Sequence, residues 1–165
     1  MLLVESGSRA IQEKAIEVIR RVYPECEHID VLTCYAGAPR GANGRIYRVS
    51  DYVTPEARDN FFAELKTAGY PAMGMLCTAE PIMTKWKFAA AARVPAKLMV
   101  INENADFFWC DRANWKILST FLLFRAGLTG ASAVPTLARL LVLPLTAVYL
   151  LAYAGAVHFR RMLRS

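Results

Sequence analysis

Residues 1–33, MLLVESGSRAIQEKAIEVIRRVYPECEHIDVLT, contain the pattern that decides the fold of this chain. A short apolar run, Met1–Val4, leads into a polar turn, and apolar residues then recur with helical spacing between Ile11 and Val22. A second apolar run, Ile29–Tyr35, follows the helix. Two apolar strands joined by a helix pair in parallel when they share a sheet, since the helix returns the chain to the starting edge. The stretch therefore predicts a β-α-β unit.

The same alternation of apolar runs and helical patterns continues along the chain. Three further strands are predicted: Ile46–Val49, Ala72–Cys77 and Lys97–Ile101. Two more helices are predicted, one starting at Thr54-Pro55 and one running from Thr78 to Arg93. Because the strands are continuous apolar runs, both faces of their sheet should be covered. We expect residues 1–112 to form an α/β domain, a Rossmann-like parallel sheet of about five strands in the order 3-2-1-4-5 with helices on both faces.

The C-terminal stretch Leu140–Val157, LLVLPLTAVYLLAYAGAV, has no charged side chain, and Arg160, Arg161 and Arg164 follow it. A helix of about twenty apolar residues crosses the hydrocarbon core of a bilayer, and this run approaches that length. We therefore expect residues 113–165 to form a hydrophobic, membrane-anchoring helical region with a basic tail. The alternative is a central core helix, which a water-soluble domain would have to surround on every side.

The two ends of the chain constrain how such an anchor sits in a membrane. The N-terminus lacks a signal peptide, so the α/β domain should face the cytoplasm, and the basic tail also prefers that side. One complete crossing cannot satisfy both. In one arrangement, the weaker apolar stretch Ile117–Val134 pairs with Leu140–Val157 as a two-span hairpin. In the other, the apolar segment enters the membrane, returns to the same side and breaks near Pro144. Arg125 and Arg139 are costly at mid-bilayer, which favours a re-entrant or monotopic anchor at the inner (cytoplasmic) membrane.

Composition narrows the classes of ligand. The net charge is +6, but the basic residues near the apolar C-terminal region suit anionic lipid headgroups, and we expect no nucleic-acid partner. The four cysteines form no CxxC pair and only two histidines are present, so no metal site is expected. Neither a GxGxxG fingerprint nor a P-loop occurs, and no cofactor is expected. The thiols should be free, as in a reducing compartment.

Polar residues follow the carboxyl ends of the predicted strands, where open α/β sheets bind ligands. The predicted ligand-binding residues are Ser6, Gly7, Ser8, Arg9, Lys85, Asn102, Asn104 and Asp106. A helix N-terminus at Ser8 attracts an anionic group, and Arg9 adds a charge-assisted hydrogen bond. Glu103 and Glu80 are the candidate catalytic carboxylates, acting as general base toward a sugar hydroxyl. The alternatives are an ordinary capped turn, solvated loop acids that cap helices, and a solvated lysine.

Four segments resemble a known family. Arg20–Pro24 (RRVYP) and Ile29–Thr33 (IDVLT) are similar to the opening of the heptosyltransferase-like glycosyltransferases of the GT-B fold. Phe62–Tyr70 (FAELKTAGY) and Ala92–Lys97 (ARVPAK) are similar to later segments of the same acceptor-side Rossmann half. The resemblance covers roughly residues 1–110. The Gly-Asp pair of the family after strand one is replaced by Glu-Ser-Gly-Ser, and a hydrophobic C-terminus stands where the family has its donor-binding Rossmann domain.

Together with the apolar C-terminal stretch, the resemblance implies a membrane-associated protein of cell-envelope glycan or lipid-linked sugar assembly. Its activity would be hexosyl or heptosyl transfer to a lipid-linked or glycan acceptor, with membrane lipids and a separate donor-binding protein subunit as partners. The alternative is a non-catalytic, membrane-bound adaptor or scaffold that keeps the Rossmann-like fold. The sequence leaves open the sugar donor, the acceptor, activity in isolation and the oligomeric state.

Overall fold

The computed structural model describes residues 1–78, 80, 82–130 and 133–162. The chain divides into two compact units, Met1–Asn114 and Trp115–Ser165, which we call unit 1 and unit 2. The described strands of unit 1 are β1 Leu2–Val4, β2 Asp30–Thr33, β3 Ile46–Arg48, β4 Ala72–Leu76, β5 Lys97–Ile101 and β6 Phe107–Trp109. Its described helices are α1 Arg9–Val22, α2 Pro55–Ala68 and α3 Thr84–Arg93, with a short 3-10 turn at Val49–Asp51.

The six strands form one sheet in the order β3-β2-β1-β4-β5-β6. Strands β1 to β5 are parallel, and β6 pairs antiparallel with β5. The predicted order of the five parallel strands is therefore confirmed, and an antiparallel edge strand is added to it. Helix α3 begins at Thr84 rather than at Thr78, after a residue in left-handed conformation, Met83 with φ 52°. Residues 79 and 81 of the predicted helix lie outside the described residues.

Two apolar layers cover the sheet. Alternate residues of a strand point to opposite faces, so Leu2 and Val4 of β1 face one layer while Leu3 faces the other. Helices α2 and α3 pack on the first face, through side chains such as Phe61. Helix α1 packs on the second face, through side chains such as Ile16. Helices on both faces were predicted, and the structure confirms them.

Helix α2 shows why the local sequence signals were reliable. The Thr54 hydroxyl accepts a hydrogen bond from the backbone N–H of Ala57 at 3.2 Å, and Pro55 supplies the first helical residue. The helix ends at Gly69, whose φ of 66° is left-handed and costs a glycine little. Both ends of the helix are thus fixed by residues within the segment itself.

Unit 2 contains α4 Trp115–Arg125 and α5 Ala133–Met162. The two-span alternative, in which the stretch Ile117–Val134 crosses the membrane, is not supported, because α4 ends at Arg125 and Gly127 then takes a φ of 67°. The predicted break near Pro144 is also wrong: α5 continues through this residue, although its missing N–H leaves one helical carbonyl without its usual donor. Among the helices of the described residues, none combines the length and the apolar character needed to cross a membrane.

Candidate functional site at the carboxyl edge of the sheet

The turn after β1 is tied to both neighbouring strands. The backbone N–H of Glu5 donates to the Leu32 carbonyl of β2 at 2.8 Å. On the other side, the fully buried Ser6 hydroxyl donates to the Leu76 carbonyl of β4 at 2.5 Å. The predicted ligand residue Ser6 thus holds the turn against the end of β4. The turn lies between β2 and β4, at the sheet edge where the sequence placed it.

A buried ion pair follows in the same turn. The Arg9 guanidinium donates to both carboxylate oxygens of Glu5, at 3.0 and 3.1 Å, and the Glu5 side chain is fully buried. The same guanidinium donates to the carbonyls of Ala36 and Gly37 at 3.1 and 3.3 Å. Such a bidentate pair is strong and directional, and removing one partner leaves a buried charge unpaired. In this structure Arg9 fixes the loop after β2 to the turn after β1.

Tyr35 lies against this turn. Its hydroxyl donates to the Gly7 carbonyl at 3.2 Å, and the Arg9 guanidinium lies 5.3 Å from the centre of its ring. Burial raises the pKa of the Tyr35 phenol, and nearby negative charges, including that of Glu80, act in the same direction. The predicted catalytic residue Glu80 is exposed. Burial also raises the pKa of the neighbouring Cys34 thiol, which opposes a nucleophilic role.

Gly7 brings the backbone close to the residue that follows β4 and Cys77. A Cβ atom at Gly7 would lie 2.9 Å from both Cγ2 and Oγ1 of Thr78. The Thr78 hydroxyl is buried and has no hydrogen-bond partner within the described residues. The same holds for both polar atoms of the fully buried Gln12 side chain on α1. Neither residue was among the predicted site residues, although Gln12 falls on the apolar stripe of α1 with Ala15 and Ile19.

Ser8 is the N-cap of α1 in an extended conformation, with φ −66° and ψ 145°. Its carbonyl accepts the N–H of Gln12 at 3.2 Å, which is the first turn of the helix. Its side chain makes no capping hydrogen bond, and the first turn of α1 contains no acidic residue. The leading N–H groups of a helix lack intrahelical acceptors, so the N-terminus of α1 offers donors at this edge.

The predicted ligand loop Asn102–Asp106 is the hairpin turn between β5 and β6. The Asn102 side-chain oxygen accepts the N–H groups of Asn104 and Asp106, both at 2.9 Å, and its amide group donates to the Asp106 carboxylate at 3.3 Å. Ala105 is buried with a left-handed φ of 65°. The polar groups of Asn102 and Asp106 therefore hold the turn together, while Glu103 at its tip is exposed.

The two lysines on the first turns of α3 differ in their exposure to solvent. Lys85, a predicted ligand residue, is exposed, whereas Lys87 is 9% exposed and packs on the inner side of the helix. Residues two apart on a helix do not share a face, which explains the difference. In the described part of the chain, no group of three or more His, Cys, Asp or Glu side chains is placed to hold a metal ion.

The opposite, amino-terminal edge of the sheet carries a second polar cluster, which the sequence pattern did not predict. The Tyr70 hydroxyl donates to the Asp30 carboxylate, and the Tyr47 hydroxyl lies 3.3 Å from that of Tyr70. Burial, followed by the bond to Asp30, raises the pKa of Tyr70 far above its ordinary value. The groove beside them has a volume of about 510 Å³. Every polar side chain of this hydroxyl–carboxylate cluster has a partner, so its bonds explain it without a ligand.

Comparison with known proteins adds no assignment to these sites. No protein-family model, no curated protein and no solved structure matches the chain. The resemblance to the glycosyltransferases therefore stays a prediction, carried by Arg20–Pro24, Ile29–Thr33, Phe62–Tyr70 and Ala92–Lys97.

Proposed function

We propose that this chain is a membrane-associated, glycosyltransferase-like protein of cell-envelope glycan or lipid-linked sugar assembly. Unit 1 would face the cytoplasm at the inner membrane, hold a glycan or lipid-linked acceptor at its carboxyl edge, and work with a donor-binding protein subunit. The observation that carries the membrane part of this proposal is the apolar, exposed surface of α5.

Helix α5 exposes apolar side chains around its circumference. Val142, Leu143, Leu145 and Leu151 are 55%, 69%, 71% and 75% exposed. Successive helical residues are about 100° apart, so these four side chains point in directions spread around the helix axis. A protein surface packed on one side of the helix would leave the others in water, whereas lipid can surround all of them. This distribution supports lipid as the medium around α5.

The charge distribution supports an anionic lipid surface. Residues 1–114 contain fourteen Lys or Arg and fourteen Asp or Glu, so unit 1 is formally neutral. Residues 115–165 contain six Lys or Arg and no acidic residue, so the whole net charge of +6 belongs to unit 2. A basic side chain near an anionic membrane gains about 1 kcal/mol. The apolar surface and the entire net charge of the protein therefore occur in the same unit.

Vesicle flotation of the full chain tests membrane association. We expect flotation with phosphatidylcholine vesicles that contain phosphatidylglycerol, and weaker flotation without the anionic lipid, because the charge of unit 2 then has no counterpart. Combined replacement of Leu143, Leu145 and Leu151 by Gln should abolish it. The control is Val53→Gln, since Val53 is 76% exposed in unit 1. Equal flotation of the triple variant and the control would contradict the proposal.

The adaptor remains a second candidate because of a specific observation. Ser6 and the Glu5–Arg9 pair, the polar groups closest to the end of β1, are bonded within the protein. The two candidates predict different rates of sugar transfer when Glu80 or Glu103 is changed to Gln: a lower rate for a transferase and an unchanged rate for an adaptor. Transfer of labelled sugar from a nucleotide sugar to membrane lipid, measured in membranes lacking the chain and supplemented with it, should fall in these variants if the carboxylates act as bases. Unchanged transfer with retained membrane binding favours the adaptor.

A further inference from the structure

A cavity of about 490 Å³ lies at the amino-terminal edge of the sheet, opposite to the edge that carries the candidate site. Parallel strands begin at this edge, so the starts of β1 and β4 meet there with the end of the antiparallel strand β6. The turn after α1 completes the lining, because α1 returns the chain to the same edge. The volume falls within the range of about 300–1,000 Å³ that is typical of small-molecule sites.

Two aromatic side chains form an apolar wall of this cavity. The Trp109 ring N–H donates to the Tyr23 hydroxyl at 3.0 Å, and the two rings meet edge to face with their centroids 6.0 Å apart. Tyr23 also packs against Phe107, with 5.9 Å between the ring centroids. The Lys97 ammonium lies 4.7 Å from the centre of the Trp109 ring and pairs with Asp111 at 3.4 Å, so this charge already has partners. These contacts fix the aromatic wall, which therefore needs no rearrangement to receive an apolar group.

The turn after α1 gives the cavity a negative charge. Glu25 and Glu27 line it, are exposed, and belong to none of the ion pairs of the described residues. They follow the C-terminus of α1, where the helix dipole is already negative. Of the described residues that line the cavity, only His28 has a basic side chain, and the Met1 amino group donates to the His28 carbonyl at 2.9 Å. At neutral pH the negative charges of the lining therefore outnumber the positive ones.

The turn that carries these carboxylates is held in place by other groups. The backbone N–H of Cys26 donates to the Tyr23 carbonyl, and that of Glu27 donates to the Glu25 carbonyl, both at 2.9 Å. The side-chain amide of Asn43 donates to the Glu27 carbonyl at 2.6 Å. None of these bonds uses a carboxylate oxygen of the turn. The conformation of the turn therefore does not explain why two acids follow the negative end of a helix.

We propose that this cavity binds an organic amine, a ligand with an ammonium group on a small apolar body. The apolar body packs against the rings of Tyr23 and Trp109, and the ammonium group pairs with Glu25 and Glu27. The negative end of α1 adds to the attraction. An anion of the same size would meet like charges, and a neutral ligand would use the aromatic wall alone. The site lies at the opposite edge of the sheet from the candidate acceptor site and does not depend on the proposed function.

Saturation-transfer NMR titrations of the full chain test the proposal with three probes of similar size. Phenethylamine is positively charged, 2-phenylethanol is neutral and 3-phenylpropionate is negatively charged. The chain is held in a maltoside detergent, because a phosphocholine headgroup would itself supply an ammonium group. We expect phenethylamine to bind about fivefold more tightly than 2-phenylethanol, as ion pairs with exposed carboxylates allow, and 3-phenylpropionate to bind most weakly. Equal affinities for the amine and the alcohol, or no signal from the amine, would overturn the proposal.

A double variant assigns the difference to the two carboxylates. Glu25→Gln combined with Glu27→Gln should lower the affinity for phenethylamine to that for 2-phenylethanol and leave the affinity for the alcohol unchanged. The matched control is Glu17→Gln combined with Glu56→Gln, which removes the same charge from two exposed residues outside the cavity. An equal loss in the control would overturn the proposal, because overall charge would then explain the attraction.

Thermal unfolding separates a ligand site from a structural one. The Tm of the free double variant at Glu25 and Glu27 should be unchanged or raised, because two negative charges are removed from the negative end of a helix. Weaker amine binding in this variant then has no origin in a less stable fold. A lowered Tm would give the carboxylates a structural role and would overturn the proposal.

Cys26 reports where the amine binds. Its side chain is free and lines the cavity, whereas the free Cys34 follows β2 at the opposite edge of the sheet. Phenethylamine at about ten times its Kd should slow alkylation of Cys26 by N-ethylmaleimide about tenfold, since about one tenth of the sites stay empty, and leave the rate at Cys34 unchanged. Peptide mass spectrometry measures both rates. Protection of both thiols, or of neither, would overturn the proposal.

Discussion

The ion pair of Arg9 and Glu5 allows a quantitative test of whether Arg9 is structural or available to a ligand. Arg9→Ala removes both bonds to Glu5 and both bonds to the loop carbonyls of Ala36 and Gly37. Breaking a buried pair costs about 3–5 kcal/mol because one charge stays buried without a partner. The Arg9 side chain is 24% exposed, so water screens part of this interaction and we expect the lower end, about 3 kcal/mol. That is a large share of the roughly 5–15 kcal/mol that stabilises a typical domain.

Urea unfolding of the full chain in detergent measures this loss. Trp86, whose ring lies 5.9 Å from that of Phe61 in the core, contributes to a fluorescence signal that reports on unit 1. The control is Arg93→Ala: Arg93 pairs with Asp59 at 2.7 Å, the two side chains are 43% and 67% exposed, and the guanidinium lies 4.7 Å from the centre of the Phe62 ring. An exposed ion pair and one such ring contact should together cost below about 2 kcal/mol. Equal losses in the two variants would refute the structural role of Arg9 and return it to the ligand-binding role that the sequence predicted.

Three further predictions follow from single contacts. Thr54→Ala should destabilise unit 1 by about 1 kcal/mol, measured by urea unfolding, because the N-cap bond to Ala57 is lost. Because the pKa of Tyr70 is raised in the folded protein, its stabilising contribution is complete below the ordinary tyrosine pKa of about 10 and falls as the pH rises above it. Unfolding measured from neutral to strongly alkaline pH should therefore show a smaller alkaline loss in Tyr70→Phe, and an equal loss would contradict this. Cys34 should react with iodoacetamide at neutral pH more slowly than a free cysteine, and a faster reaction would disprove its raised pKa.

The order of the parallel strands could be predicted because it depends on local patterns and general rules of connection. Apolar runs, the cap at Thr54 and the stop at Gly69 lie within single segments of sequence. Strand β6 was not predicted, because the aromatic run Phe107–Trp109 follows a polar loop and no helical pattern separates it from β5. Its position depends on tertiary contacts, such as the hydrogen bond from the Trp109 ring to the Tyr23 hydroxyl at 3.0 Å, between residues 86 positions apart.

The location of the candidate site was more predictable than the roles of its residues. The polar turn after β1 lies at the carboxyl edge because strand direction alone decides that. Whether Arg9 faces a ligand or the protein depends on where the carbonyls of Ala36 and Gly37 are, and that depends on the path of a loop. The Asn102–Asp106 segment was assigned to a ligand because the antiparallel return of β6 was missed. Once β6 is present, the same polar side chains are needed to form a hairpin turn.

Gln12 and Arg9 lie on the first turns of the same helix, and we expect their side chains to contribute to the stability of the folded state with opposite signs. Arg9 is bonded at several positions, so its removal should weaken the folded state. Gln12 is buried on an apolar stripe without a partner in the described residues, so its replacement by an apolar residue should strengthen that state. Polar groups that reduce stability are expected at functional sites, where natural sequences depart from local consistency. The sign of the stability change therefore distinguishes a polar residue that stabilises the turn after β1 from one whose burial reduces stability.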